Sequence, residues 1–338
     1  TKMVVMVKAF SYGSGSFEIA NLLQHHRVDY LAVAFADEGI ELRNAGITTP
    51  IMVMNPEPET FEVMIEHNLE PEIYSFRILS LFIEALNRSE TSQPYPIHIK
   101  YDTGMARMGF IKDETQMLIQ KIKESSAVYI KSIFSHLAGS DDEQFDDFTH
   151  KQIETFKFVA EQIRQAFTYK IDRHILNSAG IERFPEAQFE MVRLGIGLYG
   201  ISSLQSNKLQ HISTLKTCIS QIRTMQPGET VGYSRKGKIT KPSTIAVIPI
   251  GYADGLNRRF SNGIGEVLVN GQRAAIIGNV CMDACMIDIS GLTVNEGDEV
   301  IIFGKDLTIS EQAQKIGTIP YEILTSIARR VKRIYIKE

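Results

Sequence analysis

A lysine directly follows an apolar stretch near the start of the chain. Residues 3–7 form an apolar, largely β-branched run typical of a strand buried on both faces, as in a parallel sheet. The run ends at Lys8, and a loop of small residues that contains Tyr12 follows. A lysine at the mouth of a buried strand is partly desolvated, which lowers its pKa and frees its amine for Schiff-base chemistry. The alternative, favoured on these residues alone, is a lysine that only carries its charge to the surface.

An arginine lies in a second polar segment, which reads Lys100-Tyr-Asp-Thr-Gly-Met-Ala-Arg107-Met-Gly109. Glycines flank the arginine, so the segment is typical of a loop. A guanidinium in such a loop is suited to bidentate capture of a carboxylate. An arginine that only projects into solvent is the alternative.

Two glycine-containing segments could bind a phosphate group. The first, Asn177-Ser178-Ala-Gly180, offers a hydroxyl and backbone amides at the expected start of a helix. The second, Arg193-Leu-Gly195-Ile196-Gly, allows backbone amides to approach a ligand closely. The alternative is a tight turn that needs glycine for its backbone angles.

A tyrosine in the last third of the chain lies between two glycines, in the segment Gly251-Tyr252-Ala-Asp-Gly255. A second segment, Cys281-Met282-Asp283, follows some thirty residues later. A positioned phenol can act as an acid or a base. More often, such a tyrosine packs its ring and hydrogen-bonds its hydroxyl.

The elements that must position these residues alternate between strand and helix over the first two thirds of the chain. Short apolar runs predict eight strands, at 3–7, 30–35, 51–54, 72–76, 96–101, 129–134, 170–176 and 189–194. Helical periodicity predicts helices between them, at 16–28, 36–45, 59–67, 78–87, 113–124 and 143–167.

This alternation predicts an α/β fold, a closed (β/α)8 TIM-type barrel. An open doubly wound sheet is the alternative, but the glycine-rich dinucleotide turn expected after its first strand is absent. In a barrel, reactive residues belong at the carboxyl ends of the strands. The polar residues at the predicted strand ends are therefore expected to share one cavity: Lys8, Lys100, Asp102, His136, Asn177, Ser178 and Arg193.

Beyond about residue 206 the helical pattern gives way to alternating strands, which predicts a mainly β C-terminal domain. We place the boundary so that residues 1–207 form the barrel and 208–338 the second domain. Asn270-Gly271 predicts a type I′ hairpin within 265–277. Other strands are expected at 215–225, 244–249, 284–289 and 299–303, with helices at 310–315 and 321–328.

Composition excludes several functional classes. The formal net charge of -4 gives no electrostatic footprint for nucleic acid or an anionic membrane. No apolar run reaches transmembrane length, and no signal-peptide pattern opens the chain. Three cysteines are odd in number and fit no zinc spacing, which favours a reducing, cytoplasmic compartment and no metal site.

Taken together, these motifs resemble those of alanine racemases, the fold-type III enzymes that use pyridoxal 5′-phosphate (PLP). The resemblance extends from residue 3 to the end of the chain, and its specificity lies in the order of the motifs across two domains. Its carriers are Val7-Lys8-Ala9, Tyr12-Gly13, Asp102-Thr-Gly-Met105, Arg107, Gly109, Ser135-His136, Asn177-Ser178, Val192-Arg193-Leu-Gly195, Tyr199-Gly200, Gly251-Tyr-Ala-Asp-Gly255, Cys281-Met-Asp283 and Ile319-Pro-Tyr321-Glu322.

The resemblance implies a racemase, an isomerase that interconverts L-alanine and D-alanine and supplies D-alanine for peptidoglycan. Lys8 would form the Schiff base with PLP and handle the α-proton of the D-enantiomer. Tyr252, from the second subunit of a homodimer, would remove the α-proton of L-alanine. Arg107 and the backbone amide of Met282 would bind the substrate carboxylate.

The remaining cofactor contacts are also implied by the resemblance. His136 would pack against the pyridine ring, and Arg193 would face the ring nitrogen. Arginine keeps its proton, so the nitrogen would stay unprotonated, the cofactor would be a weaker electron sink, and racemisation would be favoured over transamination. The residues expected around the phosphate and its cradle are Tyr12, Asn177, Ser178, Gly195, Ile196 and Tyr321.

Lys100 matches a position that is a carbamylated lysine in many relatives, and the resemblance slightly favours the carbamate. An unmodified lysine paired with Asp102 or another acid is the alternative. The loop after Lys8 departs from the commoner family pattern and resembles the form fused behind a Mur-type ligase. We therefore expect either a short segment or a ligase module before Thr1.

Other functions remain open at this level. A racemase of broader specificity or a PLP-dependent decarboxylase of the same fold would use the same lysine. A PLP-binding regulatory barrel would lack the β domain that carries Tyr252 and Met282. A barrel that uses a metal or a sugar phosphate would bind no PLP.

Overall fold

The computed structural model describes residues 1–89, 94–202, 204 and 209–336. The chain divides into two compact units, the first built mainly from Thr1–Ser11 and Gly15–Leu198. The second contains Tyr12–Ser14, Tyr199–Ile201 and the described residues from Leu209 onward. A barrel followed by a mainly β domain, as predicted, is confirmed. The predicted boundary between residues 207 and 208 lies outside the described residues and stays a prediction.

The first unit contains an eight-stranded sheet whose hydrogen-bonded neighbours are all parallel. Its strands are β1 (Lys2–Met6), β2 (Tyr30–Val33), β3 (Ile51–Val53), β4 (Leu69–Ile73), β5 (Tyr95–Lys100), β6 (Val128–Phe134), β7 (Asp172–His174) and β8 (Met191–Leu194). The order is β7-β6-β5-β4-β3-β2-β1-β8. Just beyond β7, the Leu176 carbonyl accepts a hydrogen bond from the Arg193 amide at 3.0 Å, which joins the two ends of the sheet.

Helices connect successive strands of this barrel. They are α1 (Ser16–His25), α2 (Ala36–Asn44), α3 (Phe61–Glu66), α4 (Phe76–Arg88), α5 (Thr115–Lys123), α6 (Asp146–Ala166) and α7 (Ser178–Arg183). Every residue of β3 is fully buried, because one face of a barrel strand points into the barrel and the other packs against helices. This double burial explains why the strands were visible in the sequence as continuous apolar runs.

The fourth strand and the following helix differ from the prediction. The strand was expected at 72–76 but occupies Leu69–Ile73, and α4 begins at Phe76 rather than at residue 78. The reason is a helix cap, since the Ser75 hydroxyl accepts a hydrogen bond from the Ile78 amide at 3.3 Å. The seventh strand is also shorter than expected, at Asp172–His174.

A left-handed turn follows β1 and was not predicted. Ala9, Phe10, Ser11 and Tyr12 all have φ between 50° and 55°, a conformation that costs L-residues about 1–2 kcal/mol each. The Glu38 carboxylate helps to hold the turn by accepting hydrogen bonds from the backbone amides of Ala9, at 2.6 Å, and Ala34, at 2.7 Å. The strained turn therefore begins directly after Lys8.

The second unit is mainly β, with a seven-stranded sheet in which all neighbouring pairs are antiparallel. The helices and strands of the whole second unit are β9 (Leu215–Cys218), β10 (Gln221–Met225), β11 (Thr230–Val231), β12 (Gly237–Lys238), β13 (Ser243–Ile248), β14 (Glu266–Val269), β15 (Gln272–Ile277), β16 (Cys285–Asp288), β17 (Glu299–Phe303), α8 (Ile309–Lys315) and α9 (Pro320–Ser326). The predicted hairpin is present, with φ of 49° at Asn270 and 75° at Gly271.

The stretch expected to be one strand at 215–225 is two strands on opposite edges of this sheet. The chain crosses between them at Ile219 and Ser220, whose amides donate to the carbonyls of Asp298 and Val247. In the part of the chain that is described, no helix combines the length and the apolar character needed to cross a membrane.

Candidate active site

Lys8 lies two residues beyond the end of β1, at the carboxyl end of the barrel strands, where the sequence predicted a reactive residue. Burial lowers the pKa of its amine, and the positive charge of Arg107 lowers it further. The carboxylates of Glu38 and Glu72 act in the opposite direction. A lowered pKa increases the fraction of neutral amine relative to an exposed lysine, and only a neutral amine can attack a carbonyl or accept a proton.

The loop that carries Arg107 is organised by Asp102. The Asp102 carboxylate accepts hydrogen bonds from four consecutive backbone amides, those of Gly104, Met105, Ala106 and Arg107, at 2.8–3.2 Å. Oδ1 accepts three of these bonds and Oδ2 accepts one, and the ion pair of Lys100 is with Glu72 and not with Asp102. The Arg107 side chain remains exposed. A rigid loop with an exposed guanidinium is suited to binding a carboxylate.

The Arg193 side chain is almost completely buried, at 3% exposure. It donates to the backbone carbonyls of Ser135, His174 and Ile175 at 2.6–3.2 Å. It also contacts Nδ1 of His174, at 2.9 Å, and Nδ1 of His136, at 3.2 Å. Burial lowers the pKa of Arg193 to about 10, which still leaves it protonated at neutral pH.

A hydrogen-bonded chain runs from Arg193 through the barrel interior. An arginine only donates, so Nδ1 of His174 must accept, and the proton of the neutral ring lies on Nε2. That nitrogen is 2.9 Å from the Ser132 hydroxyl, which is 2.7 Å from Nδ1 of His98. Nε2 of His98 lies 2.8 Å from the Glu70 carboxylate. The chain thus links a buried cation to a carboxylate through two imidazoles.

Burial and neighbouring charges both keep His136 neutral. Burial is the largest cause that lowers its pKa well below the usual range, and the charges of Arg193, Arg107, Lys100 and Lys8 add to it. Three cations expected at strand ends, and Arg107 from its loop, therefore act on one imidazole. The structure brings these five predicted residues together.

Lys100 pairs with Glu72, an acid on the neighbouring strand β4. Lys100 Nζ lies 3.1 Å from Glu72 Oε1, and both side chains are buried, at 4% and 0% exposure. Burial lowers the pKa of Lys100 and raises the pKa of Glu72 to about 7. Glu72 is therefore the "other acid" that the sequence left unnamed.

Ser178 and Gly195 lie together after β7 and β8, as predicted for a phosphate cradle. The Ser178 hydroxyl oxygen accepts hydrogen bonds from the amides of Gly195, at 2.9 Å, and Gly197, at 3.1 Å. Both lone pairs are thus used, which leaves the hydroxyl hydrogen to donate to an anion. Ile196 is buried beside them. Asn177 instead caps α7, since its side-chain oxygen accepts from the Gly180 amide at 2.8 Å.

In the second unit, Tyr252 and Met282 lie on two loops that are bound to each other. The Tyr252 amide donates to the Cys281 carbonyl at 2.9 Å, and the Ala253 amide donates to the Met282 carbonyl at 3.0 Å. A Cβ atom at Gly251 would lie 2.3 Å from the Met282 carbonyl oxygen, so the approach requires glycine. The Tyr252 and Met282 residues are 43% and 53% exposed.

Three tyrosines form a cluster in the second unit. Tyr12 stacks on Tyr199 with ring centroids 4.7 Å apart, and Tyr321 lies 5.8 Å from Tyr12. Burial raises the pKa of the Tyr12 hydroxyl, so it stays protonated and can donate a hydrogen bond. The segment Tyr12–Ser14 is fixed here because Arg333 donates to the Gly13 carbonyl at 2.9 Å.

Sequence reasoning missed a group of polar residues inside the barrel: Glu70, Glu72, His98, Ser132 and His174. A signal for them exists. Glu70 and Glu72, and likewise His98 and Lys100, are two residues apart in otherwise apolar strands, and that spacing places each pair on one face. Because the outer face packs against helices, a polar pair on one face is expected to point into the barrel.

Comparisons with known proteins agree over the whole chain. The family model described as "Alanine racemase, N-terminal domain" matches residues 1–203, and "Alanine racemase, C-terminal domain" matches residues 212–335. Alanine racemase 1 of Clostridium acetobutylicum is 40% identical over 99% of this chain and 89% of its own length. The alanine racemase of Clostridium tetani is 39% identical over 100% of this chain and 89% of its own length.

Solved structures give the same result. The alanine racemase of Clostridium difficile 630 superposes with a TM-score of 0.90 at 35% identity, over 99% of this chain and 89% of that chain. The alanine racemase of Bacillus anthracis with bound L-Ala-P gives a TM-score of 0.90 at 31% identity, over 100% of this chain and 89% of that chain. Two matched domains and full-length relatives at this identity place the chain in the alanine racemase family.

Proposed function

We propose that this chain is an alanine racemase, an isomerase that interconverts L-alanine and D-alanine with PLP as its cofactor. The observation that carries the proposal is the lysine at the end of β1, whose amine has a lowered pKa, in a chain that matches the family along its whole length. The D-alanine would serve peptidoglycan synthesis in the cytoplasm, a location supported by the odd number of cysteines.

The residues present fit PLP. A lysine amine with a lowered pKa suits the aldehyde of PLP, and a guanidinium that can only donate suits an unprotonated ring nitrogen. The free hydroxyl hydrogen of Ser178, with the amides near Gly195, suits a phosphate. When bound, PLP would withdraw electron density from the α-carbon of an amino acid and so acidify its α-hydrogen.

Proton transfer is assigned to Lys8 and Tyr252. Lys8 would exchange the α-proton on the side of the D-enantiomer, and Tyr252 from the partner protomer on the side of the L-enantiomer. Two bases on opposite faces of a planar centre allow inversion without turning the substrate over. The exposure of the Tyr252 side chain, on a loop braced by the Met282 loop, supports a role toward a second protomer. The active form would thus be a homodimer.

Binding is assigned to the remaining residues. Arg107 and the Met282 amide would hold the substrate carboxylate, and His136 would pack against the pyridine ring while Arg193 faces its nitrogen. The phosphate would be held by Tyr12, Ser178, Gly195, Ile196 and Tyr321. Asn177 would act by capping α7 under Ser178, because its side-chain oxygen accepts from the Gly180 amide and its side-chain nitrogen donates to the Leu137 carbonyl.

The test is a racemisation assay with L-alanine and added PLP at two protein concentrations. We expect D-alanine to form, specific activity to rise with protein concentration, and a yellow colour that Lys8→Ala abolishes. Release of CO2 without D-alanine would instead identify a decarboxylase. In heavy water, mass spectrometry of recovered alanine should show one deuterium at the α-carbon. A yellow protein that leaves alanine unexchanged would contradict catalysis and favour a regulatory PLP-binding barrel.

Substrate breadth is tested in the same assay with L-serine and other small amino acids. Tyr252 and Tyr321 should crowd the pocket, so alanine is expected to be the best substrate. Comparable rates with several amino acids would identify a racemase of broader specificity.

A further inference from the structure

The ion pair between Lys100 and Glu72 bears on the chemical form of Lys100. Glu72 has 0% exposure, and in the described part of the chain neither of its carboxylate oxygens has a hydrogen-bond partner of good geometry. A buried carboxylate is costly unless a cation lies next to it. Lys100 Nζ, at 3.1 Å, is that cation.

Glu72 also acts on the other cations of the barrel. Its negative charge raises the pKa of Lys100, Arg193 and Lys8. In each case this opposes burial, which lowers the pKa. Arg107 acts on Glu72 as well, since its charge lowers the pKa of that carboxylate. Four cations therefore share one buried counter-charge on β4.

The surroundings of Lys100 favour a cation. Its Nζ lies 5.7 Å from the centroid of the Phe134 ring, a contact that attracts a cation and repels an anion. A carbamate, formed when the neutral lysine amine adds to CO2 and loses a proton, would place a negative charge on the group whose nitrogen lies 3.1 Å from Glu72 Oε1. Two buried anions so placed repel each other, so a carbamate would require Glu72 to take up a proton, and Arg193 and Lys8 would then lose the counter-charge that Glu72 supplies.

We propose that Glu72 is the built-in counter-ion of the barrel cations and that Lys100 therefore remains an unmodified ammonium. Glu72 is a positioning residue, because it acts through Lys100 and Arg193 and not on the substrate itself. The inference rests on the proposed function and reverses the slight preference for a carbamate that the resemblance gave. Where a relative would add CO2 to create an anion, this chain encodes the anion in its own sequence.

The first test uses 13C NMR of the PLP-loaded protein equilibrated with 13C-bicarbonate. We expect the wild type and Lys100→Arg to give the same spectrum in the carbamate region, because Lys100 carries no carbamate. We also expect the same kcat/KM for alanine in CO2-free buffer and in buffer with bicarbonate. A carbamate resonance in the wild type that is lost in Lys100→Arg would overturn the proposal. The NMR measurement does not depend on racemisation, so it decides the form of Lys100 even if the proposed activity is wrong.

The second test measures thermal unfolding of Glu72→Gln, Lys100→Met and the double variant in CO2-free buffer. Removing one partner of a buried pair leaves the other uncompensated, so each single variant should lower Tm. The double variant should lower Tm by less than the sum of the two. The control is Glu62→Gln, which changes an exposed carboxylate on α3 and should leave Tm unchanged.

We expect kcat/KM for alanine to fall at least tenfold in Glu72→Gln, with the double variant recovering part of that loss. A merely structural role would lower Tm without this recovery of kcat/KM. Additive changes in Tm, or a Glu72→Gln variant with the Tm and kcat/KM of the wild type, would overturn the role of Glu72. If Glu72→Gln does not fold, the wild-type NMR and CO2 measurements still decide the form of Lys100.

Discussion

Nη1 of Arg193 lies 2.9 Å from Nδ1 of His174, and this contact ties the guanidinium expected to face the cofactor to the hydrogen-bonded chain that ends at Glu70. Both side chains are buried. A hydrogen bond to a buried charged group contributes about 1.5–3 kcal/mol. The contact therefore contributes, together with three backbone carbonyls, to holding Arg193 in position.

Replacing His174 tests that contact. In His174→Leu, Arg193 loses an acceptor that water cannot replace, so we expect the free energy of unfolding to fall by about 2 kcal/mol and kcat/KM for alanine to fall about tenfold or more. Chemical denaturation and steady-state kinetics measure the two effects. The control is His150→Leu, on the exposed face of α6. If His174→Leu, like the control, kept the stability and kcat/KM of the wild type, the contact would have no role.

The pH dependence of stability provides a separate test of His174. Burial, followed by the charges of Arg193 and His98, lowers the pKa of His174 well below 6.5 in the folded state. Below pH 6.5 the unfolded chain binds a proton that the folded chain does not, so stability is lost as pH falls, by about 1.4 kcal/mol per pH unit for one such histidine. Denaturation at pH 7 and pH 5 should show a smaller loss in His174→Leu than in the wild type. An equal loss in both proteins would mean that His174 titrates normally.

Asp102 provides a test of how the substrate arginine is positioned. Asp102→Ala removes the acceptor of four amides in the loop that ends at Arg107, so that loop should lose its fixed conformation. We expect KM for alanine to rise about tenfold, the equivalent of about 1.4 kcal/mol, with a smaller effect on kcat. Steady-state kinetics measure both constants. Asp113→Ala, at an exposed site, should change neither, and an unchanged KM in Asp102→Ala would contradict the assignment.

The strands and their end residues could be predicted because they depend on local composition. Each barrel strand is buried on both faces, so it is visible as an apolar run, and the residue that ends the run lies at the mouth of the barrel. Lys8 and Arg193 were found in this way. Asn270-Gly271 likewise predicts a hairpin because its backbone angles suit few other residue pairs.

The pairing of polar residues across strands could not be predicted, because it depends on register. Glu72 lies opposite His98, and Lys100 lies opposite Phe134, but nothing in the sequence fixes these pairs before the sheet is formed. For the same reason Asp102 was the only acid that could be named as a partner for an unmodified Lys100, and the alternative, another acid, stayed unnamed. The left-handed turn after Lys8 was missed because non-glycine residues rarely adopt it.

The lowered pKa of Lys8 predicts how the apoprotein binds its cofactor. The rate of covalent PLP binding, measured by borohydride trapping and mass spectrometry, should rise with pH and reach half its maximum below 10.5. The charge of Arg107 lowers the pKa of Lys8, so Arg107→Ala should raise that pKa and move the profile to higher pH. Arg88→Ala, at an exposed arginine, should leave the profile unchanged. A shift to lower pH in Arg107→Ala would contradict this electrostatic account.

Tyr252→Phe tests the two-base assignment, and hydrogen exchange tests it better than net turnover. The two enantiomers have equal free energy, so any variant must lower kcat/KM equally in both directions. Exchange of the α-hydrogen with heavy water can differ between enantiomers. In Tyr252→Phe we expect D-alanine to keep exchanging through Lys8 without inversion, while exchange of L-alanine falls at least a hundredfold.

The matched control for that experiment is Tyr233→Phe, a tyrosine in the same unit that is 71% exposed. It should leave both exchange rates unchanged. Equal loss of exchange from both enantiomers in Tyr252→Phe would show that the phenol has a general role in folding or cofactor binding. Unchanged exchange of L-alanine would remove Tyr252 from proton transfer. Because Tyr252 is proposed to act from the partner protomer, the exchange of L-alanine by the wild type should also fall on dilution.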